Sequence, residues 1–356
     1  MSDYLSDLPL IYRVSFLLFI STLLILFLNR IFIKKKFLID DKNFSKHKKF
    51  INLKSVPLTG GLNIFLIYLL IYFNNELINL ILITVVFLLG ILSDAKKLNS
   101  PALRFFLQII FILYFVFLNN INIQSIRVEA IDQILLNSKL FALFFTTFCI
   151  LILLNGSNFI DGTNLQCSGY YFSVLITFLF IHEFYDFYIE YDLIIYLTTI
   201  LFVFMIFNFF TKSFLGDGGS YFLAFIIGIF SIKFINYNEN VSPYFIALIL
   251  WYPAFENLFS ILRRMIFLKN RVGKPDNYHL HHLFYEYISK KTKNKNNFFI
   301  LNGTGLIFTL YNLFIFLLGT NYIYQSLELI ILIFFSIIIY LTLYIYLKKK
   351  LSIKFK

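Results

Sequence analysis

The chain has 356 residues, of which 59% are apolar, 21% aromatic and only 14% charged. A soluble domain carries about 25% charged residues, so a water-soluble globular protein is excluded; two cysteines, Cys149 and Cys167, with neither C-x-x-C nor other metal spacing, exclude a disulfide framework. The net charge of +12 calls for an anionic surface or ligand, and the placement of the charges decides which.

Eleven apolar segments follow one another: 11–33, 60–73, 77–92, 102–118, 139–154, 168–184, 193–210, 218–236, 241–262, 298–319 and 326–347. Most approach or exceed the ~18 apolar residues that cross a ~30 Å hydrocarbon core. A spanning segment must satisfy its own backbone hydrogen bonds, so each is expected to be a helix. The fold class is all-α: one polytopic transmembrane domain over 1–356. The acidic start, "MSDYLSDLPL", and the absence of a small-residue cleavage site make the first segment an anchor rather than a cleaved signal. No soluble domain fits between the spans. The longest basic stretch, 263–297, is expected to be a cytoplasmic loop.

With the N-terminus outside, 27 of the 31 lysines and arginines fall on the inner side, leaving only Arg13, Arg127, Lys139 and Lys233 outside. That asymmetry is the positive-inside pattern, and it places the C-terminus in the cytoplasm. It accounts for the charge without nucleic acid and predicts a multi-pass membrane protein.

The same topology gathers five polar islands on the cytoplasmic face. "LKSVPLTGG" precedes the second span, and Lys54 within it is a candidate for substrate contact. "ILSDAKKLNSPALR" follows the third span and holds Asp94, Lys96 and Lys97. "NGSNFIDGTN" follows the fifth and holds Asn158 and Asp161. "FLGDGGS", before the eighth, sets Asp217 among three glycines. Such a turn is either a helix start capped by aspartate or an anion site. A carboxylate tolerates a phosphate there only if a divalent cation bridges them, as Mg²⁺ does with one or two carboxylates. "HLHH" puts His279, His281 and His282 in a basic stretch. Imidazole also suits zinc, but with no cysteine or HExxH beside them, contact with phosphate oxygens is the better reading.

Taken together, "VPLTGG", "ILSDAKKLNSPALRFFLQ", "NGSNFIDGTN", "FLGDGGSYFLAF" and "RVGKPDNYHLHH" resemble, in order and on one face, the polyprenyl-phosphate N-acetylhexosamine-1-phosphate transferases, the MraY/WecA-like group of glycosyltransferase family 4. The likeness runs from about residue 30 to 290. It implies transfer of a sugar-1-phosphate from a UDP-sugar to a polyprenyl phosphate, with release of UMP and a requirement for Mg²⁺, or Mn²⁺ in its place. It further implies that Asp217 binds the metal with help from Asn158, and that Phe214 packs on the uracil. Lys97 would line the nucleotide pocket, and Asp94, Asp161, His279, His281 and His282 would be catalytic. A homodimer in the membrane is compatible with the resemblance.

Two departures stand out. The family's Asp-Asp pair is here Ser93-Asp94, and the last acid of its D-G-x-D-G is here Asn164, in Asp161-Gly162-Thr163-Asn164-Leu165. A phosphate monoester has a second pKa near 6, so the nucleophile is already ionised and needs screening more than a base. The missing acids point toward a surface glycan or O-antigen-like product rather than a peptidoglycan precursor. The alternative is a transporter or flippase using its acids as ion sites. Such acids lie at mid-depth on broken helices, whereas the candidates here cluster at span ends.

Overall fold

The computed structural model describes residues 9–40, 55–72, 77–268, 278–292 and 297–352. Lys54 lies outside the described residues. Fourteen helices are described: α1 Leu10–Lys35, α2 Gly60–Tyr72, α3 Leu77–Asp94, α4 Pro101–Asn119, α5 Glu129–Asn137, α6 Lys139–Ile160, α7 Gln166–Phe184, α8 Tyr191–Phe209, α9 Gly216–Tyr237, α10 Pro243–Ile249, α11 Trp251–Arg263, α12 Leu280–Lys291, α13 Asn297–Thr320 and α14 Ser326–Lys350. A two-residue antiparallel pair, β1 Ile39–Asp40 with β2 Val56–Pro57, is the only sheet among the described residues.

Every expected apolar segment is helical. Among the described residues nine helices are long and apolar enough to cross a membrane, and ten spans result if the α10–α11 pair counts as one. The remaining segment, α2, has 13 residues, about 20 Å at 1.5 Å per residue, short of a full crossing.

Local chemistry sets the helix ends. Ser100 caps α4 by accepting the Leu103 N–H at 3.3 Å, ahead of Pro101 at the first helical position. Ser138 caps α6 in the same way through Phe141. The ninth apolar segment breaks between α10 and α11 with a bend of 71°. Pro253 supplies the reason: it has no N–H for the Ile249 carbonyl one turn back. Tyr170 donates its hydroxyl to that carbonyl instead, at 2.7 Å.

The central helix is α9. Its apolar stretch is 89% buried, against 22% for α4 and α14 at the periphery, and it packs on α2, α3 and α6. Glycines permit this closeness. A Cβ on Gly61 would overlap the Gly219 backbone, and one on Gly90 would overlap the Gly218 backbone, so α2 and α3 touch α9 main chain to main chain.

One end of the bundle carries Lys34, Lys35, Lys36, Lys96, Lys97, Lys212, Arg263, Arg264, Lys290 and Lys291. At the other, Arg13 pairs with Asp192 at 2.9 Å and Lys233 with Glu190 at 2.9 Å. There Arg127 also donates to the carbonyls of Tyr324 and Asn240, tying three loops together. The described part of 263–297 is not irregular: it contains the last residue of α11, a π turn over Arg264–Leu268, and α12, whose first turn holds the histidines.

Candidate active site

The start of α9 is built from the lysine-rich end upward. The Gly60 and Gly61 N–H groups donate to the carbonyls of Phe214 and Leu215, at 3.0 and 3.1 Å, and the Phe214 N–H donates to Pro57. The stretch before α2 and the stretch before α9 are thus stitched together. Gly216 sits at φ +76°, where a side chain is strained and would in any case meet Asp94. That conformation turns the first free N–H groups of α9 toward α3.

Asp94 receives them. Its Oδ1 accepts the Asp217 N–H at 3.0 Å and its Oδ2 accepts the Gly218 N–H at 3.2 Å. A carboxylate from the end of α3 therefore caps α9, two helix ends meeting at one group. Each oxygen accepts one bond, so Asp94 holds the helix that carries Asp217 while its side chain stays half-buried.

Asp217 is differently placed. Ser93 donates its hydroxyl to Oδ2 at 2.6 Å, and Arg104 on α4 lies 3.5 Å from the same oxygen while also donating to Ser93. The Asp217 side chain keeps 30% exposure and that of Arg104 23%. Ser93 is thus a hydrogen-bond link between a cation and Asp217. The positive charge in this corner comes from Arg104, a role the sequence did not disclose.

A second cluster forms where α6 ends. Asn158 and Asp161 lie on its last turn, both half-buried, Asp161 being the residue that closes the helix. A Cβ on Gly162 would run into the rings of His281 and His282, so the "FIDG" turn lies directly on the histidines. Their rings stand 4.2 Å apart, and His279 lies 5.7 Å from His281 and 5.2 Å from Phe159. Arg264 lies over the Phe159 ring at 5.2 Å. The two clusters are neighbours through α4 and α6: Gln108, one turn beyond Arg104, accepts a hydrogen bond from Asn155, one turn before Asn158, at 3.1 Å.

The other candidates separate. Phe214 is buried, with 7% exposure, so stacking on a base requires movement of its cover. Lys97 is exposed on the turn after α3. Asn164 is buried and bonds Thr211 and Asn302, at 3.0 and 3.2 Å, joining the α6–α7 turn to α8 and α13. In this chain that position is a structural clamp.

Glu256 escaped the sequence reading. It lies on α11 with no exposed surface, 2.8 Å from His279 Nδ1 and 2.7 Å from the Tyr340 hydroxyl, which donates to it. A charge inside an apolar segment is itself a functional signal, and Glu256 is the lone acid of 241–262. Tyr340 had no such signal among 24 tyrosines.

Burial, with His282, His279 and Arg263 adding to it, pushes His281 well below the usual imidazole range. Its folded form thus resists protonation. Stability from this group is complete above the unfolded value of about 6.5 and declines as pH falls below it. Thermal stability is expected to drop between about pH 6.5 and 5 in wild type, and less steeply in His281→Asn. An identical slope in both contradicts this account.

Residues 76–235 match the family described as glycosyl transferase family 4. Over this stretch, 160 of the 356 residues, the chain is similar to that family. The family match contains Asp94, Asp161 and Asp217 and ends before the histidines. The chain is 31% identical over 102 residues to an undecaprenyl-phosphate alpha-N-acetylglucosaminyl 1-phosphate transferase of Thermotoga maritima, covering 29% of this chain and 32% of that protein. It is 36% identical over 83 residues to a probable undecaprenyl-phosphate N-acetylglucosaminyl 1-phosphate transferase of Bacillus subtilis, covering 22% of each. The chain thus aligns with about a third and about a fifth of the lengths of these two relatives.

Proposed function

We propose that this membrane protein transfers an N-acetylhexosamine-1-phosphate from a UDP-sugar to a polyprenyl phosphate, releasing UMP. The observation that carries the reading is the meeting of the α3 and α9 ends, where Asp94 fixes the helix start and leaves Asp217 partly exposed beside Arg104. The Asn155–Gln108 bond links α6, whose end meets the histidines, to α4, which carries Arg104. The names of the two relatives point to the same reaction class.

In the reaction, an oxygen of the lipid phosphate forms a bond to the sugar-bearing phosphorus. The bond from that phosphorus to the bridging oxygen breaks, and UMP leaves with the electron pair. No proton need be removed from a nucleophile that is already ionised. The difficulty is charge: each like-charge pair at ~4 Å costs about 4 kcal/mol at an effective dielectric of ~20. Phosphoryl transfer is mostly positioning and electrostatic stabilisation. Arg104 supplies fixed positive charge, and the histidines supply hydrogen-bond donors to phosphate oxygens.

The residues fit magnesium in a limited way. Among the described residues no group of three or more His, Cys, Asp or Glu is spaced to hold a metal ion. Asp217 offers a partly exposed carboxylate whose Oδ2 is engaged by Ser93 and Arg104. That suits an ion held by one protein carboxylate and by diphosphate oxygens, the usual arrangement for Mg²⁺. When bound, the ion would screen charge on the transferring phosphate.

The lipid tail has a matching environment. An apolar cavity of about 320 Å³ lies between α6, α9 and the bent α10–α11 pair, lined by Phe145, Ile150, Leu153, Gly228, Ile232 and Leu258 among others. It suits an isoprenoid chain entering from the bilayer. The lysine-rich end faces the cytoplasm on the positive-inside pattern, where nucleotide sugars are available. The product, a lipid diphosphate sugar, is a membrane-anchored primer for a surface glycan.

A panel of UDP-N-acetylhexosamines given to the purified protein tests the reading. UMP release that depends on polyprenyl phosphate is expected for at least one donor. Solute uptake into vesicles with no UMP release would favour the transporter alternative.

A further inference from the structure

We propose that Glu256 is a positioning residue that holds the His279 ring through a proton on Nδ1, so that the ring, when it carries a proton on both nitrogens, presents Nε2–H to a phosphate oxygen. This deepens the transferase reading and rests on it for the identity of the phosphate.

The geometry is specific. Glu256 has no exposed surface, and a buried carboxylate is costly unless its oxygens are satisfied. Both are: Oε1 lies 2.8 Å from His279 Nδ1, and Oε2 accepts the Tyr340 hydroxyl at 2.7 Å. A carboxylate oxygen accepts only, so the proton in the first contact belongs to Nδ1. Ser260 stands 3.5 Å from Oε1 and 3.4 Å from Nδ1, a weak third partner. His279 is itself 5% exposed and opens α12, whose first turn also carries His281 and His282. A Nδ1-bound carboxylate orients an imidazole, and Nε2 donates when the ring carries both protons.

Three elements position this unit. Glu256, Ser260 and Arg263 occupy one face of α11 at spacings of four and three residues. Tyr340 reaches in from α14. Arg263 donates to the Tyr278 carbonyl at 2.7 Å, anchoring the residue before His279. The charged and titratable groups facing His279 are Glu256 and Arg263 from α11, Arg264 from the π turn, and Tyr340 from α14. His281 and His282 face it from α12, and Asp161 lies beyond Phe159 at the end of α6.

The test compares Glu256→Gln, Glu256→Asp, Tyr340→Phe and His279→Gln, each purified as full chain and followed by UMP release. Glu256→Gln keeps a hydrogen-bond acceptor but loses the charge. It is expected to lower kcat at least ~10-fold, as loss of a partner supporting a functional histidine does, with the KM for UDP-sugar changed less than threefold. Glu256→Asp is expected to restore kcat in part, and Tyr340→Phe to lower it less. In the His279→Gln background, Glu256→Gln is expected to add no further loss. A kcat within twofold of wild type, or losses that multiply in the double variant, overturns the proposal. Should Glu256→Gln fail to fold, kcat of Tyr340→Phe, alone and in the His279→Gln background, decides in the same direction. An inactive wild type would instead sink the transferase reading. In that case protein carrying ¹⁵N-labelled histidine reads the tautomer directly: a Nδ1–H signal that disappears in His279→Gln supports the proposal, and its absence from wild type overturns it.

Discussion

Asp217→Asn is expected to lower UMP release by ~100- to 1000-fold, the loss seen when one fixed electrostatic contact to a transition state is removed. The substitution keeps the size of the side chain. Its Oδ1 can still accept the hydrogen bond that Ser93 gives at 2.6 Å in wild type. What disappears is the negative charge that offsets Arg104 and that a divalent cation would use. The fold should survive, because α9 is capped by Asp94 through the backbone N–H groups of 217 and 218 and not by the Asp217 side chain. Insertion, yield and thermal midpoint in detergent are therefore expected to match wild type. Activity within threefold of wild type would contradict the role assigned to this carboxylate.

Gly90→Ala is expected to damage the fold itself, by about 2–3 kcal/mol, at the upper end of overpacking costs. Its new Cβ would come within 2.6 Å of the Asp217 carbonyl carbon and closer still to the Gly218 backbone. These are main-chain atoms of the most buried helix, with no side chain that can swing aside. Relief requires α3 and α9 to move apart. That movement breaks the Asp94 cap and shifts Asp217 relative to Arg104, so activity is lost with stability. Gly303→Ala on α13 is the control. No atom lies within 4 Å of a Cβ there, and alanine is the better helix former by about 1 kcal/mol. Thermal unfolding should show a lower midpoint for the first variant and an equal or higher one for the second. Equal midpoints in both would remove the case for main-chain contact between α3 and α9.

The helices were legible because length and apolarity are what a bilayer demands, and those are composition signals. The bend in the ninth segment was less so. The reading of 241–262 as one span passed over Pro253, and whether a proline kinks or breaks a helix depends on what takes the freed carbonyl, here Tyr170 from α7. Two helices lay outside the apolar spans. α5 is short and amphipathic, and α12 sits in a basic stretch that read as a cytoplasmic loop with phosphate-contacting histidines.

The site was legible as a set of polar islands and less so as individual roles. Asp94 and Asp217 both read as acids near a cation, and only the three-dimensional arrangement separates a cap from an open carboxylate. Asn164 read as a departure from a catalytic pattern. Its bonds to Thr211 and Asn302 are long-range, and no local spacing announces them. Arg104 counted as one more inward charge, because a cation's partner 113 residues away is not visible in sequence. Glu256 could have been found, since an acid in an apolar segment is rare enough to question.

The central claim is that a phosphate travels with the sugar, and the fate of one atom tests it most directly. UDP-N-acetylhexosamine labelled with ³²P at the sugar-linked phosphorus is incubated with the purified protein and polyprenyl phosphate, and the lipid and nucleotide fractions are separated. The account predicts the label in the lipid fraction and unlabelled UMP in the water phase. Label retained in UDP would mean that a bare sugar is moved instead, and would contradict the assignment of Asp217, Arg104 and the histidines to a diphosphate.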